Sequence, residues 1–95
     1  MKLKFSSAVI EWRGPAPFYF VPVPQAESDQ IKTFSKLISY GWGVMPITAT
    51  LGKTSWTTAL FPKDGRYLLP IKNDIRFGEK LATGDLVEIT LEVKS

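Results

Sequence analysis

The sequence predicts a mostly-β fold: a small six-stranded, split (partly open) β-barrel with one amphipathic helix after its second strand and a short helical turn before its last. Three observations carry this. First, Val87, Ile89, Leu91 and Val93 alternate with Glu88, Thr90, Glu92 and Lys94, the period-two pattern of a strand with one buried face and one wet face. Second, turn-forming residues recur at short intervals, at Gly14-Pro15, Gly52-Lys53, Asp64-Gly65 and Gly84-Asp85. Third, a single stretch, Ile31, Phe34, Leu37 and Ile38, has helical spacing over any length. Short strands joined by tight turns in a chain of 95 residues hide their edges best by curling toward closure.

The elements follow in order. A first strand runs from about Lys2 to Trp12. Leu3 and Phe5 share one parity and Ile10 and Trp12 the other, so a bulge is expected near Ser6-Ser7-Ala8. Gly14-Pro15-Ala16-Pro17 turns the chain, and Phe18 to Val21 form a second strand that Pro22 and Pro24 stop. The helix starts just after Pro24 or at Ser28 and ends at Gly41. Val44 to Leu51 and Ser55 to Phe61 form a hairpin about Gly52-Lys53, with glycine where positive φ is needed. Pro62-Lys63-Asp64-Gly65 turns into a strand from Tyr67 to Ile71. Asn73 caps a helical turn through Arg76 that Gly78 ends, and Gly84-Asp85 launches the last strand. No repeat or internal linker is present, and residues 1–95 read as a single domain.

Composition excludes more than it assigns. There is no cysteine and no histidine, hence no disulfide, no thiolate or imidazole metal ligand and no Ser-His-Asp arrangement. Carboxylate, lysine, tyrosine and N-terminal chemistry stay open. Net charge is +3, but basic and acidic residues are interspersed, which suits a solvated surface better than a polyanion-binding arm. No motif calls for a cofactor or metal. Residues Met1 to Ser7 lack the continuous apolar segment of a signal peptide, and no apolar run nears the roughly 18 residues of a membrane span. A cytoplasmic, non-membrane domain is the expectation.

One ordered set of residues resembles a known family. It comprises Trp12-Arg13-Gly14-Pro15-Ala16-Pro17-Phe18-Tyr19-Phe20-Val21, Gly41-Trp42-Gly43, and Gly52 with Trp56-Thr57-Thr58-Ala59-Leu60-Phe61-Pro62. It continues through Tyr67-Leu68-Leu69-Pro70-Ile71-Lys72, Arg76 and Gly84-Asp85. With these the chain resembles the domain of unknown function nineteen-oh-five family. The resemblance implies a small split β-barrel, distantly similar in architecture to AbrB-like transcription-factor domains, and brings no established activity. Ala59 stands where the family pattern implies a serine, and Asn73-Asp74 where small apolar residues are usual.

Candidate site residues come from the ends of the strands. Lys72 ends a strand and Arg76 follows in the helical turn, so the two could hold an anion. The weightier alternative pairs them with carboxylates such as Asp74 or Asp85. Trp42 between two glycines, Trp56 and Tyr67 could stack on a ligand, with Thr58 on the strand face of Trp56; core packing is the weightier alternative there. Thr48, Thr50, Lys53, Thr57 and Lys72 could form a nucleic-acid-binding sheet face. Glu11, Asp64, Asp74 and Asp85 are the acids open to catalysis, though no spacing pairs them. The reading is therefore a non-catalytic binding or regulatory module for a small anionic ligand or a protein partner. Nucleic-acid binding is the alternative, and a carboxylate-based enzyme ranks below both.

Overall fold

A computed structural model describes residues 1–12, 18–37 and 45–93. They form β1 (Lys2–Ala8), β2 (Ile10–Trp12), β3 (Phe18–Pro22), α1 (Gln25–Leu37), β4 (Met45–Leu51), β5 (Thr54–Lys63), β6 (Arg66–Ile71), α2 (Asn73–Gly78) and β7 (Leu86–Val93). The strand order is β1-β7-β4-β5-β6-β3-β2, with every neighbouring pair antiparallel. The two ends of that order are one run of chain interrupted only at Val9, so the sheet curls back toward its own start. β5 is the other shared strand. Residues up to Leu60 pair with β4, and Phe61, Pro62 and Lys63 pair with β6.

The expected six strands are seven among the described residues, because the first one divides. No bulge lies at Ser6-Ser7-Ala8. The ladder with β7 runs unbroken from Lys2↔Glu92 to Ala8↔Leu86. The break falls at Val9, whose N–H donates to Asp85 O at 2.9 Å and whose carbonyl accepts from Gly84 N–H at 2.8 Å. Beyond it the chain changes partner from β7 to β3. The alternation itself does not slip. Leu3, Phe5, Ser7, Val9 and Glu11 keep one parity, with Phe5 and Val9 buried in the core. Ile10 and Trp12 are simply apolar residues of the outward parity.

The core is the concave side of the curl. Val21, Ala49, Leu60, Leu69, Ile89 and Leu91 are fully enclosed there, each from a strand position two residues from its inward neighbours. β7 shows this most cleanly, with Val87, Ile89, Leu91 and Val93 buried and Glu88 and Glu92 exposed. α1 begins directly after Pro24 and seats Ile31 in the core with no exposed surface. Phe34 packs against the same cluster, while Ile38 lies outside the described residues. No helix of the described residues is long and apolar enough to cross a membrane.

The turns follow their residues. Gly52 has φ 58° at the first position of a two-residue hairpin loop, and Asp64 and Gly65 have φ 51° and 78°, the pair of positive values a type I′ turn requires. α2 is capped differently from expectation. Lys72, with extended φ −75° and ψ 156°, holds the N-cap position without a side-chain capping bond, and Asn73 is the first helical residue. Asp74 Oδ1 accepts from Ile75 N–H at 3.0 Å instead. At the other end Gly78 is the last helical residue and Lys80 takes the left-handed conformation, φ 55°. Leu81 N–H donates to Arg76 O at 2.8 Å and Lys80 N–H to Phe77 O at 3.2 Å, which closes a Schellman motif. A lysine there carries a β-carbon in a conformation that glycine adopts freely. Lys80→Gly is expected to stabilise the fold by about 0.5–1 kcal/mol, read as a higher urea midpoint at an unchanged slope.

Candidate functional site

The structure scatters the residues that sequence spacing had grouped. Tyr67 is 1% exposed and belongs to the core. Trp56 and Thr58 lie on the inward face of β5, opposite Ala49 and Ile47, and both are half-buried. Trp56 packs against the core, and its Nε1 is enclosed without a hydrogen-bond partner among the described residues. Trp42 lies outside the described residues. Arg76 is half-buried, with its guanidinium carbon 4.0 Å from the centre of the Tyr19 ring and 4.4 Å from that of Phe77. Both are cation–π contacts. Lys72 is exposed.

Among the described residues no ion pair joins Lys72 or Arg76 to a carboxylate. Asp74 accepts from the backbone as described, and Asp85 Oδ2 accepts from Ala82 N–H at 2.8 Å to tighten the turn before β7. Glu11 Oε2 accepts from Tyr19 Oη at 3.3 Å, and Asp64 sits in the β5–β6 turn. These four acids therefore occupy four separate places in the fold. Among the described residues no three acidic side chains gather as a metal would need.

The threonine face exists, with one exposed aromatic residue at its margin. Thr48, Thr50 and Thr57 share the outward parity of β4 and β5, where Thr50 Oγ1 and Ser55 Oγ lie 2.9 Å apart. Of the exposed aromatic residues described, Phe61 alone shares the outward parity of Thr57, four residues further along β5 where that strand has turned to pair with β6.

The aromatics are outside the other half of the curl. On β3, Tyr19 and Val21 point inward, so Phe18, Phe20 and Pro22 point outward. On β6, Tyr67, Leu69 and Ile71 point inward, so Arg66, Leu68 and Pro70 point outward. Cross-strand pairs Phe20↔Pro70, Pro22↔Leu68 and Phe61↔Leu68 join these into one apolar surface, and Trp12↔Phe18 extends it. Phe20 and Leu68 are each 8% exposed, yet neither belongs to the core cluster: outward neighbours cover them. Trp12 stands edge-on to Phe20, with ring centres 5.4 Å apart, and Lys63 Nζ lies 3.5 Å from the centre of the indole. Trp12, Phe18 and Phe61 remain 44%, 58% and 45% exposed.

Between them runs a shallow groove of about 610 Å³, lined by Trp12, Phe18, Phe20, Phe61, Leu68 and Pro70 with Pro62 and Lys63. A second hollow of about 370 Å³ adjoins it along Phe18, Phe20 and Pro70 and reaches Lys72 and Asn73. Of the residues proposed from the sequence, Lys72 alone lines either hollow. Trp12, Phe18, Phe20, Phe61 and Lys63 were not among them. One signal could have found them: Phe18 to Val21 and Tyr67 to Ile71 are apolar at every position, where an antiparallel strand with one wet face alternates.

A family model described as Domain of unknown function (DUF1905) matches residues 5–91, and the chain belongs to that family. No curated protein matches the chain.

Proposed function

We propose that this is a non-catalytic binding module that takes a protein partner on the outward face of β2, β3, β6 and the end of β5. The observation that carries the reading is the double-sided apolar patterning of β3 and β6, which leaves Trp12, Phe18 and Phe61 open to solvent around a groove. Contiguous exposed aromatic surface of this kind marks an interaction site, since scattered apolar residues do not form a groove. The absence of histidine and cysteine and the separation of the acids favour binding over catalysis. The neighbouring hollow, where Lys72 meets Phe18 and Phe20, favours a second reading, a small aromatic anion bound there. A cysteine-free chain folds equally well in a reducing compartment, and we read the domain as cytoplasmic on that basis.

The test is selection from an unbiased displayed-peptide library on the wild-type protein and on a Phe18→Ser/Phe61→Ser variant, with circular dichroism to verify folding. Both positions are exposed, so the variant is expected to fold. Peptides enriched on the wild type should lose binding at least about tenfold on the variant, the loss of roughly 1.4 kcal/mol that two interface aromatics supply. No enrichment, or enrichment that the variant retains, rejects the reading.

A further inference from the structure

The outward side chains along β6 come in the order Arg66, Leu68, Pro70, and the extended backbone of Lys72 continues the series one step past the strand. A cation therefore stands at each end of an apolar ridge. Six residue steps separate the two, a span of roughly 20 Å. At the first end Lys63 pairs across from Arg66 and lies over Trp12, while Arg66 Nε donates to Val23 O at 3.1 Å. At the second, Lys72 closes the hollow beside Phe18 and Phe20. Asp64 is the single acid among the described residues that line these hollows, so the rim is net positive.

Size and charge choose the occupant. The three open rings present on the order of 300 Å². A stable pairing of two folded surfaces needs about 800 Å² from each, so this face is too small to hold a second copy by itself. A symmetric dimer would also set the cationic rim against itself. A nucleic-acid strand carries a phosphate at every step, yet among the described residues lining this face cations stand only at the ends. An extended peptide has the right length and can place its charges where they are met.

Resting on the reading above, we propose that this face binds an extended segment of a partner protein in which about five apolar or aromatic residues are flanked at both ends by carboxylates. The apolar stretch lies in the groove, and its flanking acids meet Lys63 and Arg66 at one end and Lys72 at the other.

The probe is a fluorescein-labelled synthetic peptide, Phe-Leu-Pro-Phe-Val with two glutamates at each end, titrated by anisotropy against a twin ended in lysines. The acidic-ended peptide should bind at least about tenfold more tightly than its twin, and Lys63→Glu/Lys72→Glu should reverse that order. The Phe18→Ser/Phe61→Ser variant should bind neither. Equal binding of the twins, or an order that the charge reversal leaves unchanged, overturns the carboxylate requirement while the apolar docking face stands. No binding of either twin, together with no library enrichment, overturns both. Three comparison measurements also count against a peptide occupant. They are tighter Phe18- and Phe61-dependent binding to a thymidine oligonucleotide, tighter binding of the same kind to vesicles of anionic lipid, and dimerisation through those residues in sedimentation.

Discussion

Gly52→Ala is expected to destabilise the protein by about 2–4 kcal/mol, a fall in Tm of roughly 10–25 °C for a chain of this size. Two effects coincide at that position. Gly52 has φ 58°, where any side chain costs about 1–2 kcal/mol. A β-carbon there would also lie 2.5 Å from Glu79 Oε1. That carboxylate is not free to swing aside without loss, since its other oxygen accepts from Thr54 Oγ1 at 2.7 Å and ties the residue after α2 to the β4–β5 hairpin. Gly65→Ala separates the two effects. Gly65 has φ 78° with nothing within 4 Å of a β-carbon, so its variant carries the conformational cost alone. Adding Glu79→Ala to Gly52→Ala should then cost less than Glu79→Ala does in the wild type. Urea denaturation of the four-member cycle measures this coupling. Strict additivity would mean that the carboxylate does not feel residue 52.

How much of this was legible depends on the range of the interaction. β7 is read from its own residues, because each apolar position faces the core and each polar one faces water. The Gly52 and Asp64-Gly65 turns are equally local: positive φ is a property of the residue and its neighbours. The division of the first strand at Val9 is not local. It is set by where β7 ends and β3 begins to pair, partners that lie far along the chain. The end of α2 shows the same limit at shorter range. Asn73 and Gly78 have better intrinsic claims to the cap and the stop, but Ile75 and Leu81 have to reach the core, and that requirement places the turn so that Lys80 adopts the left-handed conformation.

Of the residues that line the proposed docking face, sequence spacing singles out Lys72 alone. Reading every apolar side chain on a strand as inward-facing hides the rest. Under that rule Ile10 and Trp12 imply a slip of phase, Trp56 and Tyr67 compete for a ligand, and Phe18 and Phe61 attract no notice. The structure keeps the alternation of the first strand intact and turns Ile10, Trp12, Phe18 and Leu68 outward. An antiparallel strand apolar on both faces has two surfaces to cover, one of which the core provides. Counting apolar residues of both parities on Phe18 to Pro22 and Arg66 to Ile71 would have located the second.

Ser28→Ala is expected to lower stability by about 1–3 kcal/mol, although it removes a single oxygen. Ser28 has no exposed surface. Its Oγ donates to Val23 O at 3.0 Å and accepts from Tyr67 N–H at 3.1 Å, so one hydroxyl joins α1 to β6 across 39 residues of chain. The neighbouring rung of the same ladder is Val23 N–H to Tyr67 O at 2.9 Å, which makes the hydroxyl a substitute for the strand that would otherwise pair there. The two bonds are not equal in consequence. Val23 O keeps the Arg66 Nε donor at 3.1 Å when the serine is lost, whereas Tyr67 N–H is left buried without that acceptor. The cost is therefore the loss of the Ser28 acceptor from a buried backbone donor. Cysteine at this position, with its weak acceptor, should fall between serine and alanine. Thr50→Ala, which removes an exposed hydroxyl from Ser55, should shift the urea midpoint by about 0.5 kcal/mol or less. Amide exchange at Tyr67 distinguishes the cause, since its protection should drop beyond the global loss in Ser28→Ala. If exchange there follows only the global change, another partner satisfies the amide and the hydroxyl is not what holds α1 on the sheet.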